Sequence, residues 1–346
     1  MEKSLKKDII INRLPVVIYF ILIFAALMVI ISAVVPMSNH EQKTTDTYSD
    51  FSTGWLNCEE SEASLDHLSG TTVIHRTITA ADCNKTLFFF AKTSNIKVFI
   101  DGVCQYRNKH FCSQFFGKTP GALFVNVLIP AESDGKLLEI EIENPYKDDD
   151  SAKLDEMYIG DISDIIQFQQ QKRFNFFCIS FIIMVLGVVM LLLFIPLTRQ
   201  KIVGIEFLNL GFTAFVAGLF LTTDGRYMQL VFGNAHIYHM IAEVAMRLAI
   251  LPFLLFLSQM YDNYSKRISA ILCIIGEIVF AGSFICEITG IMDYHETLFP
   301  AHVVFAISML FILVSTIKGI VKAPKERIYH NIGCIVLSLM ALTDIS

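Results

Sequence analysis

Two periodicities of apolar residues divide this chain. Between residues 37 and 171, apolar and polar positions alternate. In "IKVFI", Ile96, Val98 and Ile100 share one face, with Lys97 on the other. In "LLEIEIE", Leu138, Ile140 and Ile142 alternate with Glu139, Glu141 and Glu143. A period of two describes a strand with one buried and one wet face. The runs "TTVIHRTITA", "TLFFFAK", "ALFVNVLIP" and "EMYIGDI" have the same character and are separated by polar turns. Asp101-Gly102 is the residue pair that a tight hairpin needs, because both central positions of a type I′ turn take positive φ. Six or more short strands, with no convincing helix between them, predict an all-β sandwich or jelly roll.

Outside that segment the apolar residues run without a break, at 14–35, 174–197, 204–222, 237–257, 268–288, 298–320 and 332–345. A helix of about 20 residues crosses ~30 Å of hydrocarbon. Each run reaches about that length except the last, so seven spans are expected. The first is too long for a signal peptide, and "SAVVPMS" offers a poor cleavage site, so it reads as an uncleaved anchor. The expected organisation is a cytoplasmic N-terminus and anchor over residues 1–36, a β-domain over 37–171, and a multi-span bundle of six candidate spans over 172–346. The last run stops at "ALTDIS" without a basic flank. Seven spans from an internal N-terminus leave Ser346 outside or within the membrane. The expectation is a truncated final span and a chain that continues.

Composition agrees with this division and adds orientation. The chain is 54% hydrophobic and 17% charged, against about 25% charged in soluble domains. Residues 37–171 carry 21 acidic and 11 basic side chains, a net of −10, while the whole chain is at −6, so the remainder is near +4. An acidic soluble segment attached to a mildly basic membrane part argues against nucleic acid as a partner of this region. Lys3, Lys6, Lys7, Arg13, Arg199, Lys201, Lys266, Arg267, Lys318, Lys322, Lys325 and Arg327 fall on one side of the predicted spans, and the opposite short loops hold only Arg226. The positive-inside rule makes the first side cytoplasmic. The protein is then a multi-pass protein of the cell membrane with an extracytoplasmic β-domain. Lys172 and Arg173 flank a translocated domain, where the rule is weak.

"VFIDGVCQY", "LFVNVLIP", "LEIEIENPY" and "MYIGDI" resemble the sugar-binding-like jelly roll of bacterial seven-transmembrane receptors with diverse intracellular signalling modules. "LFLTTDGRYMQLVFGN" and "MRLAILPFLLFL" resemble their second and third bundle helices. The likeness is to the clostridial diguanylate-cyclase-type sensors and covers nearly the whole chain through loose patterns of turns and hydrophobicity. It implies the input half of a sensor. The family's C-terminal cytoplasmic output module, often a GGDEF diguanylate cyclase or a histidine kinase, has no counterpart here.

Catalytic motifs are missing: there is no Walker loop, G-x-G-x-x-G, G-x-S-x-G or H-E-x-x-H. No cofactor is implied. Ionisable residues inside spans are the stronger pointers, since lipid penalises them unless they pair. Glu243 and Arg247 are spaced i, i+4 on one helix, with Pro252 beyond them, and Glu277 lies mid-span. These three form a candidate intramembrane polar switch, although an ion pair that fixes helix packing is the plainer reading of Glu243 and Arg247. Glu206 and Glu287 lie near span ends, within reach of interfacial water. His236, His239 and Glu243 share a helical stripe. With His295, His302, Asp224 and Asp293 they suggest zinc-type ligands, but no metal site is assigned. In the β-domain, Trp55, Tyr106, Arg107 and His110 are the candidate ligand-binding residues, by stacking and hydrogen bonding. Core packing is the competing reading for Trp55 and Tyr106. Cys58, Cys83, Cys104 and Cys112 allow three disulfide pairings or none. Cys178, Cys273, Cys286 and Cys334 read as apolar packing residues within spans.

These readings converge on a signal-transduction receptor that is not an enzyme in this chain. Its β-domain senses a small external ligand, a carbohydrate being the favoured class, and its bundle relays to an output module beyond Ser346. Homodimerisation is implied by the receptor class alone. The competing reading is a transporter or channel built on Glu243, Arg247 and Glu277. A third is a membrane metal hydrolase using His236, His239, His295 and His302.

Overall fold

A computed structural model describes residues 47–108, 121–146, 152–258 and 263–322. Nine strands come first: β1 (Tyr48–Asp50), β2 (Leu56–Asn57), β3 (Thr71–Thr77), β4 (Thr86–Lys92), β5 (Asn95–Ile100), β6 (Val103–Arg107), β7 (Ala122–Leu128), β8 (Leu137–Glu143) and β9 (Lys153–Gly160). They form two antiparallel sheets, one ordered β1-β9-β4-β7 and the other β2-β3-β8-β5-β6. All six expected runs contain strands.

The sheets pack face to face over one core. Leu87, Phe89, Ala91, Leu123, Val125, Val127, Leu154, Met157 and Ile159 come from the first sheet; Ile74, Ile96, Val98, Ile100, Leu138, Ile140 and Ile142 come from the second. The alternation in "IKVFI" and "LLEIEIE" is the cause: every second residue faces the opposite sheet. Lys97 and Glu141 pair across the wet face of the five-stranded sheet at 2.6 Å. Asp101 and Gly102 take φ of 50° and 75° and close the β5–β6 hairpin, which has a bulge next to Val98 and Phe99.

Six helices follow: α1 (Ile162–Arg199), α2 (Ile205–Asp224), α3 (Tyr227–Phe232), α4 (Ala235–Ser258), α5 (Asn263–Thr289) and α6 (Leu298–Lys322). Five of them, all but α3, are long and apolar enough to cross a membrane. The chain is a multi-pass membrane protein by that criterion. The apolar runs at 14–35 and 332–345 lie outside the described residues.

The first helix departs from expectation in its length. It begins at Ile162, inside the stretch predicted to belong to the β-domain, and has 38 residues. At 1.5 Å per residue it is about 57 Å long, nearly twice the hydrocarbon thickness. Asp161 alone separates it from β9, and its carboxylate accepts from Ser163 N–H at 2.8 Å as the N-cap, a preferred capping residue. The extra turns have a reason to stay helical: Ile165 and Gln169 are fully buried beneath the sandwich. Farther along, α1 and α2 pack backbone to backbone. A Cβ at Gly187 would fall 2.3 Å from the Phe215 nitrogen, and one at Gly218 would fall 2.3 Å from the Met184 nitrogen, the small-residue packing usual between membrane helices.

Candidate functional site at the junction of sandwich and bundle

The outer face of the four-stranded sheet is aromatic and dry. In β4, Leu87, Phe89 and Ala91 face the core, so Phe88 and Phe90 must face outward; yet each is only 2% exposed. Phe124 of β7 stacks on Phe88 at 5.2 Å. Sheets with one free face alternate apolar and polar; here the second face is covered by the helices. The Arg226 guanidinium lies 3.7 Å from the Phe90 ring centre, and that of Arg173 lies 5.1 Å from Phe124. Phe168 of α1 packs against Tyr48 and Tyr158. Cations over aromatic faces and edge-on ring pairs each contribute roughly 0.5–2 kcal/mol.

Glu156 ties the same sheet to α1. It sits in a β-bulge opposite Phe89 with φ of 52°, and the bulge turns its side chain toward the helix. It accepts from Lys172 at 2.9 Å and pairs with Arg173. Burial by itself would raise this carboxyl; hydrogen bonds and charge from Lys172 and Arg173 outweigh it and hold the group below its ordinary value of 4.5. The contribution of a depressed carboxyl is present above the ordinary value and lost as pH falls through the lower folded-state value. The protection factors of amides 162–173, with the intrinsic pH dependence of exchange divided out, are therefore expected to stay constant from about pH 5 upward and to fall only below ~4.5. Loosening near neutral pH would show that Glu156 does not hold this contact.

The far end of the β4–β7 pair rests on α4. Gly121 takes φ of +77°, and a Cβ there would fall 2.2 Å from the His239 ring. Ala235, at the start of α4, packs on the sandwich core. Gly121→Val combines a positive φ, which suits glycine and is a real outlier for a β-branched residue, with that clash. The expected result is a destabilisation of about 2–4 kcal/mol and separation of sandwich from α4. A cysteine pair across the two elements should lose its cross-linking yield in this variant; an unchanged yield would refute the close approach.

A third contact continues into the bundle. Tyr146, in the loop after β8, is held by its N–H donating to Asn144 Oδ1 at 3.0 Å. Its hydroxyl donates to Asp293 Oδ2, and its ring lies 4.2 Å from that of His295. Asp293 and Glu296 exchange backbone-to-carboxylate hydrogen bonds, each 3.0 Å, the reciprocal arrangement of a capping box. Next to Asp293, the Tyr294 N–H donates to Glu287 at 2.6 Å, and Tyr294 O accepts from Arg247 Nη2 at 2.6 Å. Arg247 pairs with Glu243 and lies 4.5 Å over the Tyr294 ring. Burial pushes the Tyr294 phenol up to about 12, with Arg247 opposing and Glu287 and Glu243 adding. The result is an unbroken line of contacts from β8 through Tyr146, Asp293 and Tyr294 to Arg247 on α4.

The predicted site residues fall into place as follows. Glu243 and Arg247 are brought together. Glu277 is exposed on α5. Trp55 is 1% exposed, and its indole N–H donates to Phe51 O at 2.8 Å; it is a core residue and offers no face for stacking. Tyr106 also packs against the core, while Arg107 is exposed on the wet face beside Lys97. His110 and Cys112 lie outside the described residues. Cys58, Cys83 and Cys104 form no disulfide among the described residues. Among the described residues, no group of three His, Cys, Asp or Glu side chains gathers to hold a metal: His239 lies against Gly121, His295 against Tyr146, and His302 on a cavity wall. Sequence reading missed Gly121, Tyr146, Arg226 and Tyr294. "TLFFFAK" carried one usable signal, since a strand apolar on both faces must be covered on both. Compared with protein-family models, with curated proteins and with solved structures, the chain has no match.

Proposed function

We propose that this protein is the membrane input half of a bacterial signalling receptor. Its sandwich binds a small external ligand, a carbohydrate being the favoured class, and the bundle relays the binding to a C-terminal cytoplasmic output module, a GGDEF diguanylate cyclase being the expected kind. The observation that carries this reading is the junction. A sandwich meant only to be tethered needs one flexible linker; this one is joined through β9–α1, Phe90–Arg226, Gly121–His239 and Tyr146–Asp293. Such a joint transmits force. A ligand shifts the relay only through different affinity for its two states.

The sandwich is a jelly roll on this reading. With the two-residue β2 left aside, eight strands remain, and the first pairs with the eighth, the second with the seventh, the third with the sixth and the fourth with the fifth. That is the pairing of one long hairpin wrapped into two sheets. The four-stranded face is occupied by the bundle, so the ligand surface is the outer face of the five-stranded sheet, where Lys97, Arg107, Glu139 and Glu141 are displayed. On this reading the sandwich is extracytoplasmic, which is supported by the basic residues Arg199, Lys201, Lys266 and Arg267 lying at or beside the helix ends opposite the junction. The transport reading is weaker: it needs three mid-span charges facing a common path, whereas Glu243 and Arg247 are paired and Glu277 is exposed on α5.

The test combines binding and flux. Purified protein is screened by thermal shift against mono- and oligosaccharides, with a Tyr146→Cys, Asp293→Cys pair reporting the junction. A sugar that raises the melting temperature and changes the cross-linking rate supports the receptor. Flux of the same sugar into vesicles, abolished by Glu243→Gln, would replace it with the transporter.

A further inference from the structure

We propose that the bundle holds a second ligand site, for a neutral, chain-like apolar molecule bearing one hydrogen-bond-accepting oxygen. The site is a cavity of about 290 Å³ bounded by α2, α4, α5 and α6. Its wall is almost wholly apolar, with Phe220, Phe253, Phe280 and Phe305 prominent, and three side chains supply polar atoms: Thr213, His302 and Arg247. The Thr213 hydroxyl is spent on its own helix, donating to Asn209 O at 2.8 Å. Arg247 is different. The residue is 7% exposed, and its Nε–H has no partner among the described residues, although its other nitrogens serve Glu243 and Tyr294 O.

An orphan donor of a charged group, buried in the wall of an apolar cavity, is costly unless an acceptor reaches it. The charge state of the site chooses the kind of acceptor. Arg247 is already neutralised by Glu243, so an anionic ligand would bring a second carboxylate beside the first. A ketone, ester or ether oxygen satisfies the donor without that repulsion. Size limits the remainder: the cavity has about twice the volume of one known to take benzene, which suits roughly ten to twelve heavy atoms. The site is separate from the sandwich surface and stands whether or not the sandwich binds a sugar. It does share Arg247 with the junction, so occupancy would be felt along the line to Tyr146.

The experiment uses the full chain, purified in detergent, and the methyl ester of a seven-carbon acid with a diazirine at its far end, which stays within the size the cavity sets. After irradiation, adducts are mapped by peptide mass spectrometry. Labelling is expected on the segments around Phe220, Phe280 and Phe305, saturable and displaced by methyl heptanoate about tenfold better than by decane, which has the same number of heavy atoms. Arg247→Lys keeps a cation near Glu243 but removes the Nε–H, and should erase that tenfold preference. Ala217→Phe and Ala301→Leu fill the cavity from two different helices, and either should abolish the adducts in protein that still elutes as a single species. Labelling that never saturates, or that persists with the cavity filled, would reduce the site to detergent partition. Heptanoate competing better than its methyl ester would overturn the neutral-acceptor class.

Discussion

Arg247→Met is expected to cost the protein about 3–5 kcal/mol. The Arg247 side chain is 2% exposed and makes three attachments: to Glu243, to Tyr294 O and to the Tyr294 ring. Methionine matches the stem but leaves the Glu243 carboxylate without its cation and the Tyr294 carbonyl without its donor. Removing one partner of a buried pair is far more damaging than never having had the pair, because the remaining charge stays in a poor solvent. The melting midpoint in detergent should fall by about 10 °C. Glu243→Leu in the same background should recover part of the loss, since it removes the abandoned charge. A shift of the single variant below ~2 °C would mean that the pair is solvated and holds nothing.

The second large effect separates a core residue from a binding residue. Trp55→Ala should destabilise the sandwich by about 3–5 kcal/mol, a large share of the 5–15 kcal/mol typical of a domain. The ring meets Phe51 edge-on at 5.8 Å, its N–H is bonded to Phe51 O, and Arg76 covers Phe51 from the other side at 3.8 Å. Protease resistance over residues 47–160 should be lost. Because Trp55 is the only tryptophan, its fluorescence reports one environment, and blue emission inaccessible to iodide is expected. Wild-type-like stability with loss of sugar binding would return Trp55 to the ligand surface.

Much of the fold was legible because burial follows period. Leu138, Ile140 and Ile142 alternate strictly with glutamates, and Ile96, Val98 and Ile100 keep the same period around Lys97 and Phe99; a sheet with one buried face permits no other register. Asp101-Gly102 announced a turn because few residue pairs accept positive φ twice. The apolar runs announced helices because lipid leaves a backbone no other partner than itself. Glu243 and Arg247 were found as a pair because i, i+4 spacing is a local property.

The junction was not legible, and the reason is distance along the chain. Tyr146 and Asp293 are 147 residues apart, and Gly121 touches His239 across more than a hundred; no local rule connects them. Trp55 was ambiguous because an aromatic ring suits a core and a sugar equally, and only its enclosure decides. Glu277 was grouped with Glu243 and Arg247 as an ionisable residue within a span, but which way it faces is set by what packs on α5. The early start of α1 had the same origin: residues 162–171 read as the tail of a β-domain until the sheet that covers Ile165 and Gln169 is placed above them. By itself, then, the sequence determined what depends on neighbours within a few residues: strands, turns, spans and an i, i+4 ion pair. The tertiary structure alone decided which faces meet, since apolar surface is buried against whatever the fold brings near. That decision placed the candidate site at the joint between sandwich and bundle.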